Sequence, residues 1–173
     1  MIKETLENKF TKANYSYLAK SLHWFFVIMF AYGIYKQVDD INQLEDIVFF
    51  RNEIVFALVF LLFLAFRFFY MAKTQKTSLP AYTPKSQKLA AKIVHFSMYI
   101  SLGCIACSGL MIGYLFSLGL TDGLLIELTI AIHELMVSIT YWFISIHVIA
   151  AIYHRLKNDG VWNSMVPFSK ETK

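Results

Sequence analysis

Four long apolar segments constrain what this chain of 173 residues can fold into. Each segment can cross the hydrocarbon core of a bilayer, which is about 30 Å thick and needs about 20 helical residues. The ten-residue alternation of apolar and polar residues that marks a transmembrane barrel does not occur in the sequence. The sequence therefore predicts an all-α, integral membrane four-helix bundle. Its predicted spans cover residues 17–35, 47–71, 89–120 and 124–153.

The composition agrees with this architecture and excludes several others. Hydrophobic residues make up 57% of the chain and charged residues 16%, whereas an ordinary soluble domain is about 25% charged. A soluble enzyme of this length could not bury so much apolar surface, and disordered, collagen-like or coiled-coil chains do not carry it. No internal repeat divides the sequence, so residues 1–173 are expected to form a single transmembrane domain.

Basic residues are concentrated at one end of the predicted bundle. The basic end, formed by both termini and the connection between the second and third spans, holds 14 of the 16 lysine and arginine residues. The acidic end holds only Lys36 and Arg51, with eight of the 12 carboxylates. Because cytoplasmic loops are enriched in lysine and arginine, both termini are predicted to be cytoplasmic, and no nucleic-acid partner is expected. The residues counted at the basic end are Lys3, Lys9, Lys12, Lys20, Arg67, Lys73, Lys76, Lys85, Lys88, Lys92, Arg155, Lys157, Lys170 and Lys173.

All of the histidines lie in or at the ends of the predicted spans. Ionisable residues inside a bilayer are costly and usually mark function. An interhelical hydrogen bond is the simpler explanation for any single one, but it does not readily account for all five. They are His23, His95, His133, His147 and His154.

The histidines of the fourth span share one stripe of that helix. His133, His147 and His154 are 14 and 7 residues apart, and at 100° per residue these spacings return to within about 40° and 20° of the starting direction. At 1.5 Å per residue, His133 and His147 are about 21 Å apart along the axis. This separation suits two redox centres, one near each membrane surface.

Histidines of three spans lie at one depth near the basic end. His23 lies about six residues into the first span, His95 about six into the third, and His147 about six from the end of the fourth. Neutral imidazoles on facing helices can hold a haem iron from both sides, and helix bundles commonly build cofactor sites in this way. A zinc site is disfavoured because neither H-x-x-H nor H-x-x-x-H spacing occurs.

These residues resemble the bacterial cytochrome b561 family, which is related to the cytochrome b subunit of nickel hydrogenases. The run SLHW at residues 21–24 resembles the start of that family's first span. On the fourth span, HE at residues 133–134 followed by IHVIAAIYH at residues 146–154 resembles the family's pattern of three spaced histidines. His95, Arg67 and the run MVPF at residues 165–168 also fit, so the resemblance covers nearly the whole chain.

The resemblance implies a multi-pass protein of the bacterial inner membrane with two b haems, which transfers electrons between a quinone and another redox partner. By this likeness His23 and His147 would be the axial ligands of the inner haem, at the basic end. His133 would bind the outer haem, opposite a histidine near the start of the second span.

The sequence departs from the family at that last position. No histidine occurs between His23 and His95, and the expected position holds Glu53 or a residue close to it. Three alternatives remain: the outer haem is absent, it is bound through His133 alone, or another ligand such as Met111 replaces the missing histidine. A lost or altered outer site is favoured, so one haem b is expected and two are the alternative.

The remaining polar residues of the spans have more than one interpretation. His95 and His154 are not needed as ligands and are candidates to exchange protons with a quinone, since histidine titrates near neutral pH. An interfacial side chain is the alternative for His154. Arg67 is either a partner of a haem propionate or an interfacial anchor of the second span. No catalytic residue is assigned.

Three functions are compatible with these features. The first is a stand-alone, quinone-linked oxidoreductase of the b561 type, with superoxide as a further substrate. The second is a respiratory cytochrome b subunit that anchors a periplasmic cytochrome or dehydrogenase, and the acidic end suits a basic partner while repelling superoxide. The third is a membrane anchor, assembly or transport protein with structural histidines, in contact only with lipid and partner helices. It leaves the matched depth of His23 and His147 unexplained.

The predicted topology can be checked with reporter fusions. Green fluorescent protein joined to the C-terminus is expected to fluoresce, because it folds in the cytoplasm and not after export through the general secretory route. Alkaline phosphatase joined after Gly123 is expected to be active, because the turn there faces the opposite side. The reverse pair of results would contradict the topology.

Overall fold

The computed structural model describes residues 15–38, 40–74, 79–80 and 82–166. Its helices are α1 (Tyr17–Tyr35), α2 (Ile47–Thr74), α3 (Lys85–Ser117), α4 (Leu124–Leu156) and α5 (Val161–Met165), with a 3-10 turn (Ile41–Glu45) between α1 and α2. Some residues used in the sequence predictions lie outside the described residues. They are Lys3, Lys9, Lys12, Lys76, Pro167, Phe168, Lys170 and Lys173.

Helices α1 to α4 are each long and apolar enough to cross a membrane. Many of their large apolar side chains point away from the protein, as Leu62, Trp142 and Ile149 do. Such a surface would be abnormal for a soluble monomer, whereas lipid tails solvate it. The prediction of an all-helical bundle with four candidate membrane spans is therefore confirmed. The cytoplasmic placement of the termini and the single-domain assignment stay predictions.

The helices extend beyond some of the predicted apolar runs and stop short of others. α2 continues to Thr74 and α4 to Leu156, three residues past the predicted ends of these spans. α3 begins at Lys85, immediately after its N-cap residue Pro84, and ends at Ser117 rather than at residue 120. Hydropathy marks where lipid can lie, but a helix continues through polar residues until the backbone is turned. Between α3 and α4 it is turned at Gly119 and Gly123, with φ of 76° and 93°, values that glycine adopts without strain.

The four long helices pack in chain order, α1 on α2, α2 on α3 and α3 on α4. The buried core lies between the first three, where aromatic and aliphatic side chains interdigitate. On α2, the side chain of Ile54 fits against Gly113 of α3, where a Cβ atom would overlap its Cδ1. The core residues are Phe26, Phe60, Leu64, Leu102 and Ala106.

The short helix α5 connects the two helices at the ends of this series. It follows α4 and packs against both α4 and α1. The chain reverses direction before it at Asn158 and Gly160, whose φ angles are 53° and 85°. As a result, α1 and α4 are bridged at the basic end of the bundle by the segment that follows α4.

Candidate functional site

Three of the five histidines come together at the basic end. His23 of α1 and His95 of α3 both approach His147 of α4, with ring centroids 6.4 Å and 5.0 Å from that of His147. The structure thus assembles the three side chains that the sequence placed at one depth. Within the described part of the chain, no three His, Cys, Asp or Glu side chains are arranged to hold a bare metal ion.

The two histidine pairs differ in what they can hold between them. One iron between two imidazoles needs ring centroids about 6 Å apart, from a metal–nitrogen distance of about 2 Å on each side plus the ring radii. His23 and His147 have this separation, at 6.4 Å. His95 is too close to His147, at 5.0 Å, to share an iron with it in this way. The spacing fits His23 and His147 as the two side chains that would hold one iron between them.

Arg67 of α2 reaches into the same cluster. Its Nη2 donates a hydrogen bond of 3.0 Å to His23 Nδ1, because a guanidinium has donors only. A neutral His23 therefore carries its proton on Nε2 in this arrangement. His23 can bind a metal through Nε2 only after that proton moves and Arg67 turns to another acceptor.

Arg67 has no anionic partner among the described residues. Its guanidinium lies over the rings of Phe26 and Tyr99, at 5.4 Å and 5.3 Å, and its Nε is buried without a hydrogen bond. An uncompensated buried charge costs on the order of several kcal/mol. The carboxylates of a haem are a partner of the right charge, so the donor set and the spacing at the basic end both fit this group.

His133 lies in the acidic half, where it contacts α3. Its Nδ1 is 2.9 Å from Ser108 Oγ, and the Ser108 hydroxyl donates to the carbonyl of Cys104 at 2.6 Å. Since the only hydroxyl hydrogen is used there, Ser108 accepts from His133 Nδ1–H, which leaves Nε2 with a lone pair. This is the tautomer in which metal-binding histidines are commonly held.

Glu53 lies in the same half but is already engaged. Its Oε1 is 2.6 Å from Lys36 Nζ, with both side chains largely shielded from solvent. The Lys36 ammonium also lies over the rings of Tyr32 and Phe56, at 5.6 Å and 5.1 Å. These contacts hold the carboxylate towards α1.

The acidic half does not fit a haem held from two sides. His133 has the right tautomer, but the side chain at the expected second position is a carboxylate in an ion pair. Met111 is 46% exposed and lies about 200° around α3 from Gly109, whose own position faces the His133 ring. Met111 therefore points away from His133.

His154, at the end of α4, is paired with a residue that the sequence analysis did not identify. Its Nδ1 lies 2.6 Å from Oδ2 of Asp159, a carboxylate that is almost fully buried. Asp159 precedes Gly160 in the turn after α4, and an Asp-Gly pair predicts such a turn. Its contact with His154 depends on how the chain folds back, which no local pattern reveals. Ser108 and Tyr99 were missed for the same reason.

Comparisons with known proteins give one match. No curated protein and no solved structure is significantly similar to this chain. The family model described as prokaryotic cytochrome b561 matches residues 14–168, nearly the full length, including all five histidines and Arg67. The chain therefore belongs to the prokaryotic cytochrome b561 family.

Proposed function

We propose that this protein is a membrane electron-transfer cytochrome that holds one haem b between His23 and His147 and exchanges electrons with a quinone. Membership of the family supports a haem b cytochrome of the membrane. The 6.4 Å spacing of the His23 and His147 rings is the observation that carries the ligand assignment. When bound, haem b supplies a one-electron couple, which the protein tunes through its ligands and surroundings.

The residues of the basic end have distinct roles in this proposal. His23 and His147 present one imidazole each from α1 and α4. Arg67 would turn from His23 Nδ1 to neutralise a haem carboxylate, and the rings of Phe26 and Tyr99 lie against its guanidinium. His95, which is beside His147, limits the direction in which that ring can turn.

A single haem restricts where electrons enter and leave. Without a second centre near His133, this chain has no relay about 21 Å further along α4. Electron exchange is then confined to the basic half, where a quinone can approach from the lipid. Any route to the opposite side would need a centre on a partner subunit.

His154 is the proposed proton-exchange residue whose ring is held by a carboxylate. Quinone reduction takes up protons as well as electrons, and imidazole exchanges protons near neutral pH. Asp159 fixes the Nδ1 side of His154, so that Nε2 is left for exchange. His95 is exposed, and its ring packs against the ring of His147.

The charge of the acidic end favours a partner subunit over superoxide as the second redox partner. Its exposed carboxylates among the described residues are Asp40, Glu45, Asp46, Asp122, Glu127 and Glu134. This negative surface would attract a basic periplasmic cytochrome or dehydrogenase subunit and repel a small anion. We therefore propose a respiratory cytochrome b subunit ahead of a stand-alone superoxide oxidase, placed in the bacterial inner membrane.

Exchange of individual histidines tests the ligand assignment. The His147→Ala and His23→Ala variants are expected to lose the low-spin haem spectrum, because each lacks one side of the iron. The His95→Ala variant is the matched control and is expected to keep a low-spin haem. Haem per chain and the electron paramagnetic resonance spectrum measure both outcomes. Loss of low-spin haem in His95→Ala, with retention in His23→Ala, would assign the ligands differently.

The number of haems is tested by restoring a histidine in the acidic half. The purified wild-type protein is expected to contain one haem per chain and to titrate with one midpoint potential. The double variant Lys36→Met, Glu53→His is expected to gain a second haem, because it removes the ion pair and supplies a ligand opposite His133. The matched control Lys36→Met, Glu53→Gln is expected to keep one haem per chain. Two haems in the wild-type protein would refute the one-haem proposal.

A further inference from the structure

The two proposed haem ligands lie on helices that are not neighbours in the packing order. α1 carries His23 and α4 carries His147, and these helices stand at opposite ends of the series α1–α2–α3–α4. A shared iron tolerates errors in ligand distance of only about 0.2 Å. Some structural element must therefore fix α1 relative to α4 at the depth of the two rings.

Residues 157–166, here named the C-terminal strap, are attached firmly to α4. Asp159 of the strap is paired with His154 at 2.6 Å, and the Arg155 guanidinium lies over the Trp162 ring at 4.8 Å. Ser164 is 2% exposed. The strap is therefore packed against the bundle and is not a loose tail.

The same strap is bonded to α1 on both sides of the His23 ligand. Lys20 Nζ donates to the carbonyl of Asn163 at 2.9 Å, and Trp24 Nε1 donates to the carbonyl of Met165 at 3.1 Å. Residues four apart share one face of a helix, so the two bonds anchor the α1 face that is turned to the strap. The Trp24 ring also meets the His23 ring edge to face, with centroids 5.8 Å apart.

The chemistry of these bonds explains why they form here. The last carbonyls of a helix have no partner within it and need donors from elsewhere. Helix α5 has only five residues, too few to be stable alone. The donors Lys20 and Trp24 of α1 satisfy carbonyls at the end of α5, so the strap gains its structure by binding α1.

We propose that the C-terminal strap sets the distance between the two axial histidines, with Lys20 and Trp24 as the positioning residues. This inference rests on the proposed function, in which His23 and His147 are the ligands of a haem. Neither residue touches the iron. Each acts by holding the α1 backbone around His23 at a fixed position relative to the end of α4.

The Trp24→Phe variant tests the proposal in the haem-loaded, full-length protein. The change keeps an aromatic ring beside His23 and removes the N–H that binds Met165, together with the five-membered ring of the indole. Haem transfer to excess apomyoglobin is expected to be about ten times faster, in line with the effect of removing a group that supports a metal ligand. The g values of the low-spin haem and its midpoint potential should also shift. Trp142→Phe, the same exchange on an exposed tryptophan of α4, is expected to change none of these.

A second variant guards against an effect peculiar to the indole. Lys20→Met keeps an apolar stem of similar length and removes the donor to Asn163, and it should also accelerate haem transfer. The matched control is Lys92→Met on an exposed lysine of α3. Wild-type transfer rates and spectra in both Trp24→Phe and Lys20→Met would overturn the proposal.

A haem-independent measurement separates this inference from the proposed function. Spin labels at Leu18→Cys and Leu156→Cys, in a chain with Cys104 and Cys107 replaced by Ala, report the distance between the basic ends of α1 and α4. Without haem, the distance distribution is expected to be narrow in this background and to broaden when Trp24→Phe is added. If the wild-type protein proves to bind no haem, the proposed function fails, and this distance still tests the strap. An unchanged distribution would overturn the strap itself.

Discussion

The buried positive charge of Arg67 governs the basic half of the bundle. In an apolar medium a guanidinium must be neutralised or its donors must be bonded, and here it has one histidine nitrogen and two aromatic faces. The hydrogen bond to His23 Nδ1 and the lack of an anionic partner among the described residues both belong to this one group. A haem would offer its carboxylates to Arg67 and its iron to the histidines, so one cofactor would complete both sets of contacts.

The acidic half also contains a largely buried cation, Lys36, but this cation is neutralised by a side chain of the protein. Lys36 and Glu53 neutralise each other, and the Lys36 ammonium is further stabilised by the rings of Tyr32 and Phe56. His133 is bonded to Ser108 in a tautomer that a metal could use. This half therefore has one component of a haem site, His133, while the carboxylate of Glu53 is already paired with Lys36 within the chain.

Helix number and the depth of the histidines could be predicted from the sequence, because both depend on fixed local geometry. A span in lipid must satisfy its own backbone hydrogen bonds, and the rise per residue is constant. The assignment of His23 rather than His95 as the partner of His147 came from the family resemblance and not from local geometry, since it depends on differences of about an ångström in helix packing. The bonds of the C-terminal strap join residues 143 and 141 positions apart in the sequence. Local sequence patterns cannot predict contacts at such a separation.

The unequal lengths of the helices determine how the protein adapts to hydrophobic mismatch with bilayers of different thickness. α1 has 19 residues and α4 has 33, or about 28 Å and 50 Å of helix at 1.5 Å per residue. Because the strap aligns these two helices at the basic end, the surplus length of α4 lies at the acidic end. A thicker or thinner membrane is thus accommodated by tilt or exposure of the α3–α4 hairpin. On the strap proposal, the spacing of His23 and His147 would not change with membrane thickness.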